Sequence, residues 1–382
     1  MSRRSFFDEY TQGLTSADFQ KLFTRDTPEA YRYFTRHIDE QKLATLPWYR
    51  RWPIRARLLF TAFAMRLSPA RRVLYAFALF AALMGALQLF RGIYPSRVLV
   101  FPFTMQLPLP HWSDGGVWLI LGFVAMNLLV LMEVADRLSL KGDLEIARDI
   151  QLAMLPSGLH RAGDAIVCGV TRPANTVGGD FYDILPRADG RLVIALGDVA
   201  GKGSPAALLM ALLLAMMRTL VDEGLETARL LERLNVQVAR HSPASRFITL
   251  FYGLYDPATG RLEYVNAGHL PPLLRRADGT FERIVGDGKG GLALGMFERA
   301  TYDTHETTIG HGDVFVLYSD GITEAEDKTG RAFEDTGIET VVSRDAGNDP
   351  QAIGRSLLAA AEQHAGDARL GDDLTALVLK RG

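Results

Sequence analysis

The chain has 382 residues, a formal net charge of −2 and one cysteine. That length exceeds a single ordinary core and predicts two or three units, while the balanced charge argues against nucleic acid as a partner. A lone Cys168 excludes an intrachain disulfide and a cysteine-rich zinc site; its neighbours Ile166, Val167 and Val170 read as strand core, so a small buried residue is expected rather than a nucleophile.

Residues 1–72 are expected as a cytoplasmic, helical and basic N-terminal segment. Positions 1–48 are mixed in charge and start too polar for a cleaved secretory signal. Leu58 to Met65 is too short to span a bilayer and, flanked by arginines, could lie along an anionic inner leaflet. Val73 to Phe90 carries no charge, and at about 1.5 Å per residue it nearly matches a hydrocarbon layer of about 30 Å. Val117 to Met132 is as apolar and slightly shorter, unless Gly115 and Gly116 extend it to a span of about 115–132. The alternative is a pair of buried helices in a soluble domain. Arg50, Arg51, Arg55, Arg57, Arg66, Arg71 and Arg72 precede the first span without an acid among them, whereas Arg91 and Arg97 are the basic residues between the spans. The positive-inside bias puts the N-terminus in the cytoplasm, and two crossings within 73–132 return the rest of the chain to the same side of an inner, cytoplasmic membrane. The segment between the spans is too short to hold a sensory core.

From Glu133 to Leu155 the sequence reads as one helix, ended by Pro156. Leu140, Leu144, Ala147, Gln151 and Met154 fall at alternating four- and three-residue spacings. Such a seam suits either a short parallel coiled coil, and hence a homodimer, or a helix packed on its own domain. This linker at 133–156 is the covalent route from membrane to the domain at 157–382.

In that domain strands are expected at Ile166–Arg172, Phe181–Leu185, Leu192–Asp198, Ile248–Tyr255, Leu262–Asn266, Pro272–Arg276, Tyr302–Thr308, Val314–Tyr318 and Leu374–Leu379. Helices are expected at Pro205–Asp222, Glu226–His241 and Pro350–His364. Many strands joined by tight turns, with helices gathered in a few places, predict a mainly antiparallel α+β layered domain with the sheets inside.

Asp180, Asp198, Asp320 and Asp372 each lie beside glycine or at the end of an apolar run, where a strand would deliver a carboxylate to a sheet edge. Converging carboxylates repel one another unless cations hold them, and oxygen donors without cysteine or paired histidines select Mg²⁺ or Mn²⁺. Two such ions lower the pKa of a water and neutralise phosphoryl oxygens, the chemistry of a phosphate-ester hydrolase without a covalent nucleophile. Aspartate beside glycine is also ordinary turn chemistry, which suffices for Asp256, Asp278 and Asp287.

The segments IARDIQLAMLP, NTVGGDFYDI, ALGDVAGKGSPAALLMA, YVNAGHLPPLL, LALGM, VLYSDGITEA and GDDLTALVL occur in that order between about Leu144 and Leu379. Together they resemble the metal-dependent protein serine/threonine phosphatases of the protein phosphatase 2C (PPM) fold, specifically the bacterial sporulation stage II protein E (SpoIIE) class. The resemblance implies an α-β-β-α sandwich and two Mn²⁺ or Mg²⁺ ions held by Asp180, by Asp198 as bridging ligand, by the Val199 carbonyl, and by Asp320 and Asp372, with Asp373 the ambiguous neighbour. It also implies catalysis by water activated through Asp198 and Asp180, and a phosphorylated regulatory protein as substrate, such as an anti-sigma-factor antagonist.

The chain departs from eukaryotic members, in which Gly-His follows the bridging aspartate; here Val199-Ala200 stands there, and no equivalent of their phosphate-binding arginine is evident. Lys202 is a weak candidate for phosphate contact, since a lysine in a glycine-rich turn is more often a solvated charge. Gly201 and Gly203 lack the ending of a P-loop and more simply permit a turn. Asp183 reads as a hydrogen-bond acceptor behind the site or a strand-end residue, and His269 as structural rather than a general acid. Two other functions are compatible with these residues. One is a catalytically silent scaffold. The other is a diguanylate cyclase, suggested by Gly178-Gly179-Asp180-Phe181 but lacking the acidic fourth residue of that signature.

Overall fold

The computed structural model describes residues 54, 57, 60, 61, 64, 65, 67–91, 93–100, 103–110, 112–242, 246–286, 291–366 and 370–382. The segment 1–48 and half of 58–65 lie outside them. The chain divides into two compact units, Met1–Leu138 and Ser139–Gly382.

In the first unit, helix α1 (Pro69–Arg91) leads into an antiparallel hairpin of β1 (Ile93–Val100) and β2 (Phe103–Pro110), in the segment read as a short loop. Helix α2 (Trp112–Met154) follows, so the second span and the linker form one continuous helix. Its portion in the first unit packs closely on α1 through small residues. A Cβ added at Gly122 would come within 3.0 Å of the Ala78 carbonyl, and one at Gly85 within 2.7 Å of the Leu119 side chain. Ala78, Ala81, Ala125 and Leu129 are buried at this seam, whereas Val73, Phe80, Leu83, Ile120, Phe123 and Val124 are exposed. Small residues inside and large apolar ones outside is the arrangement of helices that meet in lipid. Arg71 pairs with Asp136 at 2.6 Å and lies 3.7 Å from Glu133, closing the end of the helical pair where the chain enters α1 and leaves the apolar part of α2.

Three helices among the described residues are long and apolar enough to cross a membrane: Pro69–Leu89, Gly115–Met154 and Ser204–Asp222. The last of these is different in kind. Ala206, Met210, Leu213, Leu214 and Met217 on one of its faces are fully buried in the core of the second unit.

That unit holds β3 (His160–Ala162), β4 (Ala165–Arg172), β5 (Phe181–Pro186), β6 (Leu192–Val199), α3 (Ser204–Asp222), α4 (Thr227–His241), β7 (Ile248–Tyr255), β8 (Arg261–Ala267), β9 (Leu273–Arg275), β10 (Phe281–Arg283), β11 (His305–Thr308), β12 (Val314–Tyr318), α5 (Asp320–Thr323), α6 (Glu334–Asp345), α7 (Pro350–Ala365) and β13 (Leu374–Arg381). The strands form a six-stranded sheet ordered β10-β9-β12-β13-β4-β3 and a five-stranded sheet ordered β11-β8-β7-β6-β5, antiparallel throughout. The expected strand at Tyr302–Thr308 begins only at His305.

Alternation along the strands builds two cores. Phe315 and Leu317 of β12, with Leu377 and Leu379 of β13, join the five-stranded sheet, α3 and α4 in one cluster. Val314, Val316 and Tyr318, with Ala376 and Val378, point the other way onto Ile338 and Val342 of α6 and Ile353 and Leu357 of α7. The result is the expected α-β-β-α sandwich. Each large side chain so buried contributes about 1.5–3 kcal/mol.

Candidate active site

Register brings the acids together. Phe181 at the start of β5 pairs with Gly197 near the end of β6, which sets Asp180 beside Asp198 at one end of the five-stranded sheet. Tyr318 at the end of β12 pairs with Ala376 near the start of β13, which sets Asp320 near Asp372 and Asp373 in the six-stranded sheet. The two sheets are tied at this end by Asp373, whose carboxylate accepts from the Gly179 amide at 2.7 Å, the Ala174 amide at 2.8 Å and the Asp180 amide at 3.4 Å. Ser319 Oγ donates to the Asp373 carbonyl at 3.1 Å and accepts from the Thr375 amide at 3.0 Å, which fixes the turn before Asp320. Asp373 thus acts on the backbone in this structure.

The electrostatics are those of an anion cluster. Burial, then Asp198, then Asp373 hold the Asp180 carboxyl well above the usual carboxylate range. Asp198 is pushed up to about 7 by burial and by Asp320, Asp372 and Asp373. Asp320 is raised by burial and Asp372. Buried Asp180 Oδ2 has no hydrogen-bond partner. A Cβ added at Gly179 would lie 2.8 Å from Asp198 Oδ1, 2.9 Å from the Val199 carbonyl and 3.6 Å from the Gly201 carbonyl, so glycine is needed where these oxygens gather.

An orphaned buried oxygen, mutually repelling carboxylates and an all-oxygen donor set fit a hard divalent cation. Among the described residues, however, no three acidic, histidine or cysteine side chains stand together as a finished metal cage. Asp373 is engaged by amides, and Asp372 Oδ2 is 2.9 Å from Lys202 Nζ. Lys202 also donates to the Gly371 carbonyl. A small cation that keeps several waters and takes few carboxylates matches such a set.

The raised acids predict a pH dependence. A carboxyl whose pKa rises on folding binds more protons in the native state than in the unfolded one, so without divalent cations stability falls as pH rises from about 4 to above the Asp198 value of about 7. The cation-free protein is expected to melt lower at pH 7.5 than at pH 5 by on the order of 5 °C, a difference that Mg²⁺ removes. Equal melting temperatures at the two pH values would refute the repulsion.

Behind the acids lie His269, Asp183 and Gln151, each engaged with the surrounding fold. Buried His269 accepts at Nδ1 from Thr249 Oγ1 at 3.0 Å and donates from Nε2 to the Tyr318 carbonyl at 3.2 Å; burial lowers it to about 4, as a structural histidine should be. Asp183 is fully buried and pairs with Arg218, at 2.8 Å from Nε and 3.1 Å from Nη2. Arg218 Nη2 also donates to the Met154 carbonyl at 2.6 Å, where α2 ends. Gln151, read as a seam residue, is buried and grips Gly178 twice, donating from Nε2 to its carbonyl at 2.8 Å and accepting from its amide at 3.1 Å. The lower seam therefore packs on its own domain. Leu140, Leu144 and Ala147 line a groove with Ala207, Leu208 and Ala211 of α3, and Leu140 at its end is largely exposed. Arg218 and Gln151 gave no signal in the sequence as site supports, since their partners lie far along the chain. Cys168 is buried, and burial raises its thiol.

Residues 188–382 match the profile of the Stage II sporulation protein E family, just over half of the chain. The chain belongs to this family. Among relatives of this SpoIIE domain, phosphoserine phosphatase RsbU of Bacillus subtilis is 29% identical over 243 residues, 63% of this chain and 71% of RsbU. Phosphoserine phosphatase RsbP of the same organism is 26% identical over 198 residues, 49% of this chain and 47% of RsbP, so the chain spans less than half of that relative. The PP2C domain of SiaA from Pseudomonas aeruginosa superposes with a TM-score of 0.55 at 22% identity, covering 64% of this chain and 98% of that one, which establishes the PP2C fold. The family match and the PP2C fold do not favour the cyclase reading of Gly178-Gly179-Asp180-Phe181.

Proposed function

We propose that this SpoIIE-family phosphatase is a membrane-anchored, cytoplasm-facing enzyme that hydrolyses phosphoserine or phosphothreonine on a regulatory protein with two Mn²⁺ or Mg²⁺ ions. The observation that carries this reading is the meeting of Asp180 and Asp198 from one sheet with Asp320 and Asp372 from the other at a common edge. The names of RsbU and RsbP favour phosphoserine as the substrate group. By the resemblance, an anti-sigma-factor antagonist is the kind of protein that would carry it.

Asp180, Asp198, Asp320, Asp372 and the Val199 carbonyl would hold the ions, which when bound acidify a water and offset phosphoryl charge. Asp373 holds the Gly179 and Asp180 amides so that the Asp180 carboxyl keeps its place. His269 is not a proton donor to the leaving group, because both ring nitrogens are engaged and its pKa is about 4. No acidic side chain stands at Val199-Ala200, so the leaving alkoxide takes its proton from solvent. Helix α1 and the apolar part of α2 would anchor the chain, and the exposed face of α2 would support a homodimer.

The helix acts on the site through Gln151. Replacing Gln151 with Leu keeps the volume but removes both hydrogen bonds to buried Gly178, and the expected result is a roughly tenfold loss of kcat together with a melting temperature lower by several degrees, since the Gly178 amide and carbonyl are left without partners. An unchanged kcat would uncouple α2 from the acids.

The second reading, a silent scaffold, is favoured by the absence of a finished cage among the described residues and by the Lys202–Asp372 pair. Phosphate release from a phosphoserine protein with Mn²⁺ separates the two. Release that is abolished by a chelator is expected; none above buffer across a panel of phosphoproteins would sink the enzyme.

A further inference from the structure

One cation near the acids has no assigned task. Arg246 precedes β7 and is half-buried, and its Nη1 donates to the Ala200 carbonyl at 3.2 Å. No carboxylate pairs with it among the described residues, whereas the neighbouring cation Lys202 is held by Asp372. Its guanidinium lies against the turn that follows Asp198. A Cβ added at Gly201 would come within 2.5 Å of Nη1, 3.3 Å of Cζ and 3.6 Å of Nη2, and Gly201 has φ +110°. Glycine is required there both for the backbone and for the approach of the arginine. The carbonyl of Gly201 is itself among the oxygens gathered about Gly179, with Asp198 Oδ1 and the Val199 carbonyl. The turn that carries the guanidinium therefore also borders the anion cluster.

We propose that Arg246 is the residue that holds the substrate's phosphoryl group beside Asp198. This rests on the phosphatase reading above. Two divalent cations would match the four carboxylates of Asp180, Asp198, Asp320 and Asp372 in charge, which leaves the negative charge of a phosphate ester to be met by a further cation. A guanidinium carries five N–H donors in a planar fork; one is used at Ala200, and those that remain suffice for a bidentate pair with two phosphoryl oxygens. Lysine would keep the charge and lose the fork.

The test uses the full chain in detergent micelles with Mn²⁺, a phosphoserine protein as substrate and inorganic phosphate as probe. For Arg246→Ala the expected result is a loss of kcat/KM of about 100-fold. Competitive inhibition by phosphate weakens about tenfold or more, and the Mn²⁺ concentration for half-maximal activity is unchanged. Arg246→Lys recovers part of the activity and part of the phosphate affinity. If both variants keep the wild-type inhibition constant for phosphate, Arg246 merely props the Ala200 carbonyl and the proposal is overturned. Should Arg246→Ala fail to fold, Arg246→Lys decides by the same constant. A wild type without hydrolytic activity would sink the phosphatase reading alone. The rise in melting temperature on adding phosphate then still tests Arg246: a rise that is lost in the alanine variant and reduced in the lysine variant supports the assignment, and a rise unchanged from wild type in the variants that fold overturns it.

Discussion

Asp198→Asn is expected to lower Mn²⁺-dependent phosphoserine hydrolysis about a thousandfold while raising the melting temperature of the cation-free protein. Both effects come from one charge. In the intact site Asp198 is half-buried and feels Asp320, Asp372 and Asp373, which push it up to about 7. Asparagine removes the repulsion, and every neighbouring carboxylate gains. The same change takes away a negative oxygen at the point where both sheets deliver acids, so cation binding weakens and water activation with it. Opposite signs for activity and stability mark strain kept for function rather than for folding. Calorimetric titration with Mn²⁺, thermal melts with and without chelator, and initial rates read the two effects apart. Activity within tenfold of wild type would remove Asp198 from the centre of the reaction.

Arg218→Ala is expected to destabilise the second unit by about 3 kcal/mol. Asp183 is fully buried, and its charge is matched by the Arg218 guanidinium and the Ile184 amide. Truncating the arginine leaves that carboxylate in the core with one amide donor. It also frees the Met154 carbonyl at the end of α2. The variant should therefore unfold at lower urea and lose the order of the 151–156 segment that reaches Gly178 and, through Tyr182 and the Pro156 carbonyl, β5. The double variant Arg218→Met with Asp183→Leu, which removes both charges, should recover much of the loss. A shift below about 0.5 kcal/mol in the single variant would mean that solvent reaches Asp183.

The elements that were legible in the sequence share one property, a strong local pattern. Buried runs such as Val314–Tyr318 and Leu192–Val199, and the apolar face of Ser204–Asp222, announce themselves without their partners. Others did not. The β1–β2 hairpin contains Pro95 opposite Pro108, which argues against a strand by composition but is tolerated in a two-stranded ribbon, where both strands are edges. Helix α6 places Thr336, Thr340, Val341 and Val342 in a short stretch of weak helix formers, and its Ile338, Val341 and Val342 are held by burial on the six-stranded sheet. The seam of α2 was ambiguous by spacing alone. Its lower half is decided by Gln151, a polar seam residue whose two hydrogen bonds to Gly178 outweigh what a coiled coil could offer it.

The order of the aspartates, the acid-free arginines before the first apolar helix and the absence of a second cysteine are properties of the chain itself, because each depends only on residue type and position. The seven ordered motifs determined the family, the strand and helix patterns the layered fold, and the glycine-flanked acids the kind of chemistry. Which acid faces an ion and which braces the backbone depends on contacts across some 200 residues that no local pattern encodes, as Ala174 and Asp373 illustrate. Only the packed sheets turn Asp373 onto amides, seat Lys202 on Asp372, bury Asp183 under Arg218 and lay Arg246 along Gly201, since burial and register assign each charge its partner.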